Sequence, residues 1–294
     1  MRKLVMAAGA LLVFLMPLAG SAQTSATRRG GKTELAFFQE RNIFKSGLPQ
    51  AHTIALTFDD GPNANTAEVL DELRRLGVKA TFFIVGQQAR RHPGLLARIA
   101  ADGHLLANHS ATHAQLTARY SAEPRLLLNQ IRDVDGQIAP LMKPEDKLYF
   151  RAPYGAWRRS HAAILNADER LRNYVGPIYW DVGGQISMSR DGYVMAAADW
   201  ECWRIGWKAS TCAKGYLREI RRKDGGVVLM HAIHVNSAAL VRAVVPALIE
   251  EGYQFVRLDQ LQEYRQYETP PPNDYLGMAD ARDLQLLARL VSVK

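Results

Sequence analysis

Cysteine is scarce in this chain. Two of them, in 294 residues, are too few for a disulfide-dense scaffold or a cysteine-only zinc module. After about residue 20 there is no run of roughly 20 apolar residues, so nothing further along could cross a bilayer as a helix. There is also no dense basic run, so a net charge of +8 carries little case for a nucleic-acid partner and fits an anionic cell envelope equally well. No internal period of about 20–50 residues is visible, which excludes a solenoid. The chain is instead 48% hydrophobic and 22% charged, enough for one large domain with a full core, which excludes disorder.

The first 22 residues read as a secretory signal. Arg2 and Lys3 precede an uncharged stretch from Leu4 to Gly20, and the small residues Gly20-Ser21-Ala22 follow, which predicts cleavage after Ala22 and a secreted or periplasmic product. With the signal removed the chain has no stable membrane span and stays basic. Export would place Cys202 and Cys212 in an oxidising compartment, where they are expected to form a disulfide closing a short loop. Residues 23–50, polar and Arg/Gly-rich at first, read as a linker or extension that later docks on the domain, and 266–294, beginning near a Thr-Pro-Pro-Pro run, as a C-terminal tail.

Between them, 51–265 alternates strand, turn and helix. Thr53 to Phe58 is an apolar, β-branched run stopped by Gly61-Pro62. Ala67 to Leu76 has helical spacing and ends at Gly77, and Ala80 to Val85 is the next strand. Helices are expected over Pro93 to Ala101 and Ala122 to Leu141. Further strands are expected at His104 to Ala107, Lys147 to Phe150, Ile178 to Trp180, Val227 to Met230 and Gln254 to Val256. Such alternation predicts a parallel sheet, open or closed into a barrel, with functional groups gathered where strands end.

Polar residues do gather there. Asp59-Asp60 follow the first strand, His109 and His113 the third, Arg151 the fourth, and His231 a late one. Adjacent carboxylates at the end of an apolar strand repel, so the pair calls for a cation. His109 and His113 are four apart, so a helical turn would put both imidazoles on one face, with Ser110 near enough to orient a neighbour. One carboxylate with two imidazoles leaves coordination positions open, which suits zinc or another divalent metal in Lewis-acid hydrolysis.

Three ordered motifs carry a resemblance: Thr57-Phe58-Asp59-Asp60-Gly61-Pro62, then Gly103-His104 with Asn108-His109-Ser110-Ala111-Thr112-His113, then Phe150-Arg151-Ala152-Pro153-Tyr154-Gly155. Over roughly His52 to Tyr264 the chain resembles the polysaccharide deacetylases of carbohydrate esterase family 4, also called NodB-like. The resemblance implies an α/β fold, a distorted (β/α) barrel, that removes acetyl groups from N-acetylglucosamine polymers such as chitin or peptidoglycan. It implies that Asp60, His109 and His113 bind one divalent metal, zinc by expectation. Asp59 is then the base that activates the attacking water, Arg151 holds Asp59, and the backbone N–H of Tyr154 stabilises the oxyanion.

Two departures from the family pattern stand out. Its Asp-x-x-Asp-Trp motif has a second half in Asp199-Trp200, but its first acid is replaced by Ala196, and Asp181 is a rival partner for the acid. Leu229-Met230-His231 resembles the closing Leu-x-His-Asp, which makes His231 the proton donor and Leu229 part of the acetyl pocket, but Ala232 replaces the final Asp and His234 is a candidate substitute. A segment at about 182–216, longer than expected in the family, holds both cysteines with Trp200, Trp203 and Trp207, and reads as a functional loop whose exposed indoles stack on sugars or simply pack the insertion. An O-acetyl esterase or cyclic-amide hydrolase on the same site would be told apart by its product. A glycan-binding protein with a dead site would require lost ligands, and Asp59, Asp60, His109 and His113 are all present.

Overall fold

The computed structural model describes residues 38–43 and 51–265; the signal-peptide and tail readings lie outside the described residues. The strands are β1 (Phe38–Ile43), β2 (Thr53–Asp59), β3 (Thr81–Ile84), β4 (Leu105–Asn108), β5 (Gly176–Ile178), β6 (Ser187–Met188), β7 (Val194–Ala196), β8 (Gly225–His231) and β9 (Gln254–Val256). The helices the site depends on are α1 (Thr66–Leu76), α2 (Pro124–Ile138), α3 (Asp199–Arg204), α4 (Ala209–Lys223) and α5 (Ser237–Glu250). The helix expected over Ala122 to Leu141 begins later because Glu123 is non-helical and Pro124 takes the first helical position, where its missing N–H costs nothing.

A parallel sheet runs in the order β4-β3-β2-β8. Strand β2 is its spine, paired along its whole length with β8 and on its other edge with β9 at Thr53–Ala55 and β3 at Thr57–Phe58. All seven of its residues are buried, as a parallel strand covered on both faces requires. Beyond β4 the pairing continues through single bridges, Asn108 to Phe150 and Tyr149 to Val175, and the segment that holds Val175 returns to β8 at Val182–Val228. The ring therefore closes, but unevenly: regular ladders on one side, isolated bridges on the other. This is the distorted barrel, and it explains why the strand expected at Lys147 to Phe150 shrinks to two bridged residues. Strand β1 pairs with β5, so residues 38–43 of the 23–50 extension dock as a strand.

Helix α1 shows how the sequence sets its elements. Val69, Leu70 and Leu73 face inward and are fully buried, and the helix stops at Gly77, whose φ of 67° is strained for any residue with a Cβ. The expected loop at 182–216 is instead ordered structure: a β6–β7 hairpin, all of α3 and the first half of α4. No helix of the described residues is long and apolar enough to cross a membrane.

Candidate active site

Because the strands are parallel, β2, β4 and β8 all deliver their last residues to one end of the barrel. In register, Asp59 at the end of β2 lies opposite His231 at the end of β8. Asp60 follows with φ of 71°, and Ser110, His113 and Tyr154 also have φ between 55° and 70°. Six described residues other than glycine adopt this left-handed backbone, and four of them are here. Such strain persists only where the surroundings over-determine it.

That backbone corrects the expected helical turn. His109 and His113 lie in an irregular loop, and the left-handed residues Ser110 and His113 bring their rings to 5.1 Å between centroids. The carboxamide of Asn108 fixes the loop by accepting the Ser110 N–H and donating to the Ile131 carbonyl. The Ser110 hydroxyl has no hydrogen-bond partner among the described residues, so it orients neither imidazole.

Asp60, His109 and His113 converge, their ligand atoms within 4.8 Å of one another. The Asp60 Oδ1 sits 3.1 Å from His113 Nε2 and 3.4 Å from His109 Nε2, buried and without hydrogen-bond geometry to either. The His109 Nδ1 is 2.8 Å from the Arg151 carbonyl, which can only accept, so Nδ1 carries the proton and Nε2 presents its lone pair to the cluster. A neutral imidazole lone pair facing an ionised carboxylate oxygen is repulsive unless a cation lies between them, so this donor set fits a divalent metal.

Asp59 is held differently. Its Oδ1 accepts from Arg151 at 2.6 Å, while its Oδ2 lies 3.6 Å from His109 Nε2. Arg151 is 1% exposed and also donates to the Thr57 hydroxyl and the carbonyls of Ile178 and Tyr179, with its guanidinium 4.0 Å from the centroid of Phe83. Both charges lose their water, and the surrounding hydrogen bonds offset that cost. Thr57 and Phe83 were not singled out from the sequence; the signal was their place beside motif residues on inward strands.

On the other side, His231 Nδ1 is 2.7 Å from Asp199 Oδ1, and Asp199 Oδ2 accepts the His231 backbone N–H at 2.7 Å. Burial lowers the His231 pKa, but Asp199, with Asp60 and Asp59 behind it, raises it to about 10. Its Nε2 faces Asp60 Oδ2 at 3.9 Å. Asp181 is excluded as the partner: its Oδ2 accepts the Val227 N–H, four residues back along β8. His234 is no substitute either, because it stacks on Trp203 at 5.3 Å and its Nδ1 accepts the Asn236 N–H. Ala232, where the family's final acid would stand, is fully buried against Gly61 and Thr66.

Around this centre, Tyr154 is 68% exposed with its ring 4.7 Å from that of His113, and Trp200 is 48% exposed at the start of α3. Trp203 and Trp207 are partly buried against the core, and of the three indoles in the insertion Trp200 is the most exposed. Leu229 is buried on β8 yet stands outside the main apolar cluster. Cys202 and Cys212 form the expected disulfide, joining α3 to α4. His104, though part of a motif, lies at the far end of β4, where burial lowers its pKa to about 4 and its Nδ1 accepts the Ala80 N–H.

Residues 47–169 match the family model described as polysaccharide deacetylase. The chain is 37% identical over 231 residues to a chitooligosaccharide deacetylase of Rhizobium leguminosarum bv. trifolii, covering 70% of this chain and 90% of that one. It is 33% identical over 222 residues to the peptidoglycan-N-acetylglucosamine deacetylase PgdA of Listeria monocytogenes, spanning 73% of this chain but only 40% of the relative's length. The solved structure of the peptidoglycan deacetylase PdaC from Bacillus subtilis superposes with a TM-score of 0.56 at 27% identity, covering 82% of this chain and 98% of that one. With Asp59-Asp60, His109 to His113 and Arg151 to Tyr154 placed at one barrel end and these likenesses along most of its length, the chain belongs to the polysaccharide deacetylase family.

Proposed function

We propose that this protein is a metal-dependent hydrolase that removes N-acetyl groups from an N-acetylglucosamine-containing polysaccharide, peptidoglycan or chitin-like. The observation that carries the reading is the register pairing of Asp59 with His231, one held by a buried arginine and the other by a buried aspartate, on either strand beside the Asp60, His109 and His113 cluster.

In this reading Asp60, His109 and His113 hold one divalent ion, zinc by the preference of a nitrogen/oxygen set with open positions. When bound, the ion supplies Lewis-acid polarisation of the acyl oxygen and lowers the pKa of water. Asp59, aimed by Arg151, takes a proton from the water that adds to the acetyl carbon. The backbone N–H of Tyr154 donates to the developing oxyanion. His231, charged at neutral pH because of Asp199, gives its proton to the departing nitrogen as the C–N bond breaks, leaving acetate and a free amine. Leu229 lines the acetyl pocket and Trp200 stacks on a sugar.

The catalytic domain is 51–265 with its insertion at 182–216. Residues 1–22 are a signal cleaved after Ala22, 23–50 an extension and 266–294 a tail, giving a secreted or periplasmic enzyme. The test is acetate release from chitin oligomers and from peptidoglycan. Chelation should abolish it and a divalent metal restore it, whereas full activity in rigorously metal-free protein would overturn the mechanism. Release of acetate with a free hydroxyl instead of a free amine would reassign it as an esterase.

A further inference from the structure

Tyr216 is fully buried on α4 and has no part in the chemistry above. Its hydroxyl nevertheless joins two points of the acid machinery. It donates to the Leu229 carbonyl at 2.9 Å, two residues before His231 on β8, and accepts the Asp199 N–H at 3.1 Å. That N–H is the first of α3, one of the donors a helix leaves without an internal partner. With the backbone N–H so occupied, both Asp199 carboxylate oxygens are committed elsewhere: Oδ1 to the His231 ring and the Trp200 N–H, Oδ2 to the His231 N–H.

The barrel makes room for this bridge. Gly183 has φ of 94°, and a Cβ there would lie 2.3 Å from the Leu229 oxygen and 3.1 Å from the Tyr216 hydroxyl. A second tie lies one turn away. Cys212 and Tyr216 are four apart on α4, and Asp199 and Cys202 three apart on α3, so the two helices are joined by a disulfide and, beside it, by the tyrosine. A helix as short as α3 does not hold its own orientation. The rotation of Asp199 about His231 is therefore set from α4.

We propose that Tyr216 is a positioning residue for the His231–Asp199 pair, its hydroxyl fixing the first residue of α3 to β8 so that the imidazole is aimed at the leaving nitrogen. The inference rests on the proposed deacetylase chemistry. A loss of aim harms only the step that needs the donated proton, which makes it separable from a loss of fold.

The experiment compares wild type and Tyr216→Phe on two substrates: chitin oligomers, whose amine leaves poorly without a proton, and 4-nitrophenyl acetate, whose leaving group needs none. On the oligomers kcat should fall about tenfold with KM within about twofold, while the ester rate stays within about twofold and metal content is unchanged. Adding Tyr216→Phe to Asp199→Asn should cost little more, since the two act as a unit. Equal losses on both substrates, a change confined to KM, full additivity, or a variant that does not fold would each overturn the proposal and leave the hydroxyl a stability element. Wild type inactive on the oligomers would overturn the deacetylase reading instead.

Discussion

Asp59 and Asp60 are chemically identical neighbours with opposite surroundings. Asp59 faces a guanidinium at 2.6 Å, and Asp60 faces two imidazole nitrogens. Asp59→Asn should keep the metal and lose about 10² to 10⁴ in rate, because only a proton acceptor is removed. Asp60→Asn should lose metal, since a neutral amide oxygen is a poorer ligand. Metal analysis beside acetate-release kinetics decides between them, and a metal-free Asp59→Asn with a metal-replete Asp60→Asn would reverse the roles. A second residue-scale test concerns pH. His231 is raised to about 10 chiefly by Asp199, and a bound cation offsets the share contributed by Asp60 and Asp59. Activity should therefore hold through neutrality and fall on a basic limb as His231 deprotonates. Asp199→Asn should move that limb to lower pH, and Asp181→Asn, whose carboxylate serves the Val227 N–H, should leave it in place. Linkage gives the same sign for stability: the pair's contribution is complete below about pH 6.5 and is lost as pH rises through the folded pKa.

Among the elements, the disulfide between α3 and α4 is the most direct to test. It closes a loop between residues ten apart, and such a closure is worth about 2–3 kcal/mol by loop entropy. Replacing both cysteines by serine should lower the thermal midpoint by several degrees; an unchanged midpoint would mean that packing of Cys202 and Cys212 in the core supplies the whole effect. This region also marks the limit of what the sequence discloses. Strand β2, helix α1 and β3 were legible because each apolar run ends at glycine, proline or charge, a local signal. Residue types pointed to one carboxylate with two imidazoles, and the family resemblance named Asp60 as that carboxylate, but the reason the three meet was not legible: the spacing suggested a helical turn, whereas the loop is left-handed at Ser110 and His113 and is tied by the Asn108 carboxamide to the Ile131 carbonyl, 23 residues on. The choice of Asp199 over Asp181 was hidden for the same reason, because it depends on which turn of α3 lies against β8. Of the supports, Thr57 stands in the first motif without an evident role and Phe83 and Tyr216 stand in none, since apolar or hydroxyl side chains on inward faces look like core.

Taken whole, the molecule is a ring with a strong arc and a weak one. Ladders bind β4, β3, β2 and β8, whereas single bridges join Asn108 to Phe150 and Tyr149 to Val175. Amide exchange should be slowest in β2, guarded on both edges, and faster across the bridged arc. Arg151 stands immediately beyond that arc, its guanidinium on Asp59 and its carbonyl on the His109 ring. A local opening there would release the base and a ligand in one event while the ladders stay closed. On heating or in denaturant, catalysis should then fail before the bulk of the sheet unravels, and activity and circular dichroism should not decay together; coincident curves would mean that the seam melts only with everything else. A stabilising change aimed at useful lifetime, rather than at the melting point, belongs at Tyr149–Arg151 and its facing residues, where the inactive yet mostly folded form begins.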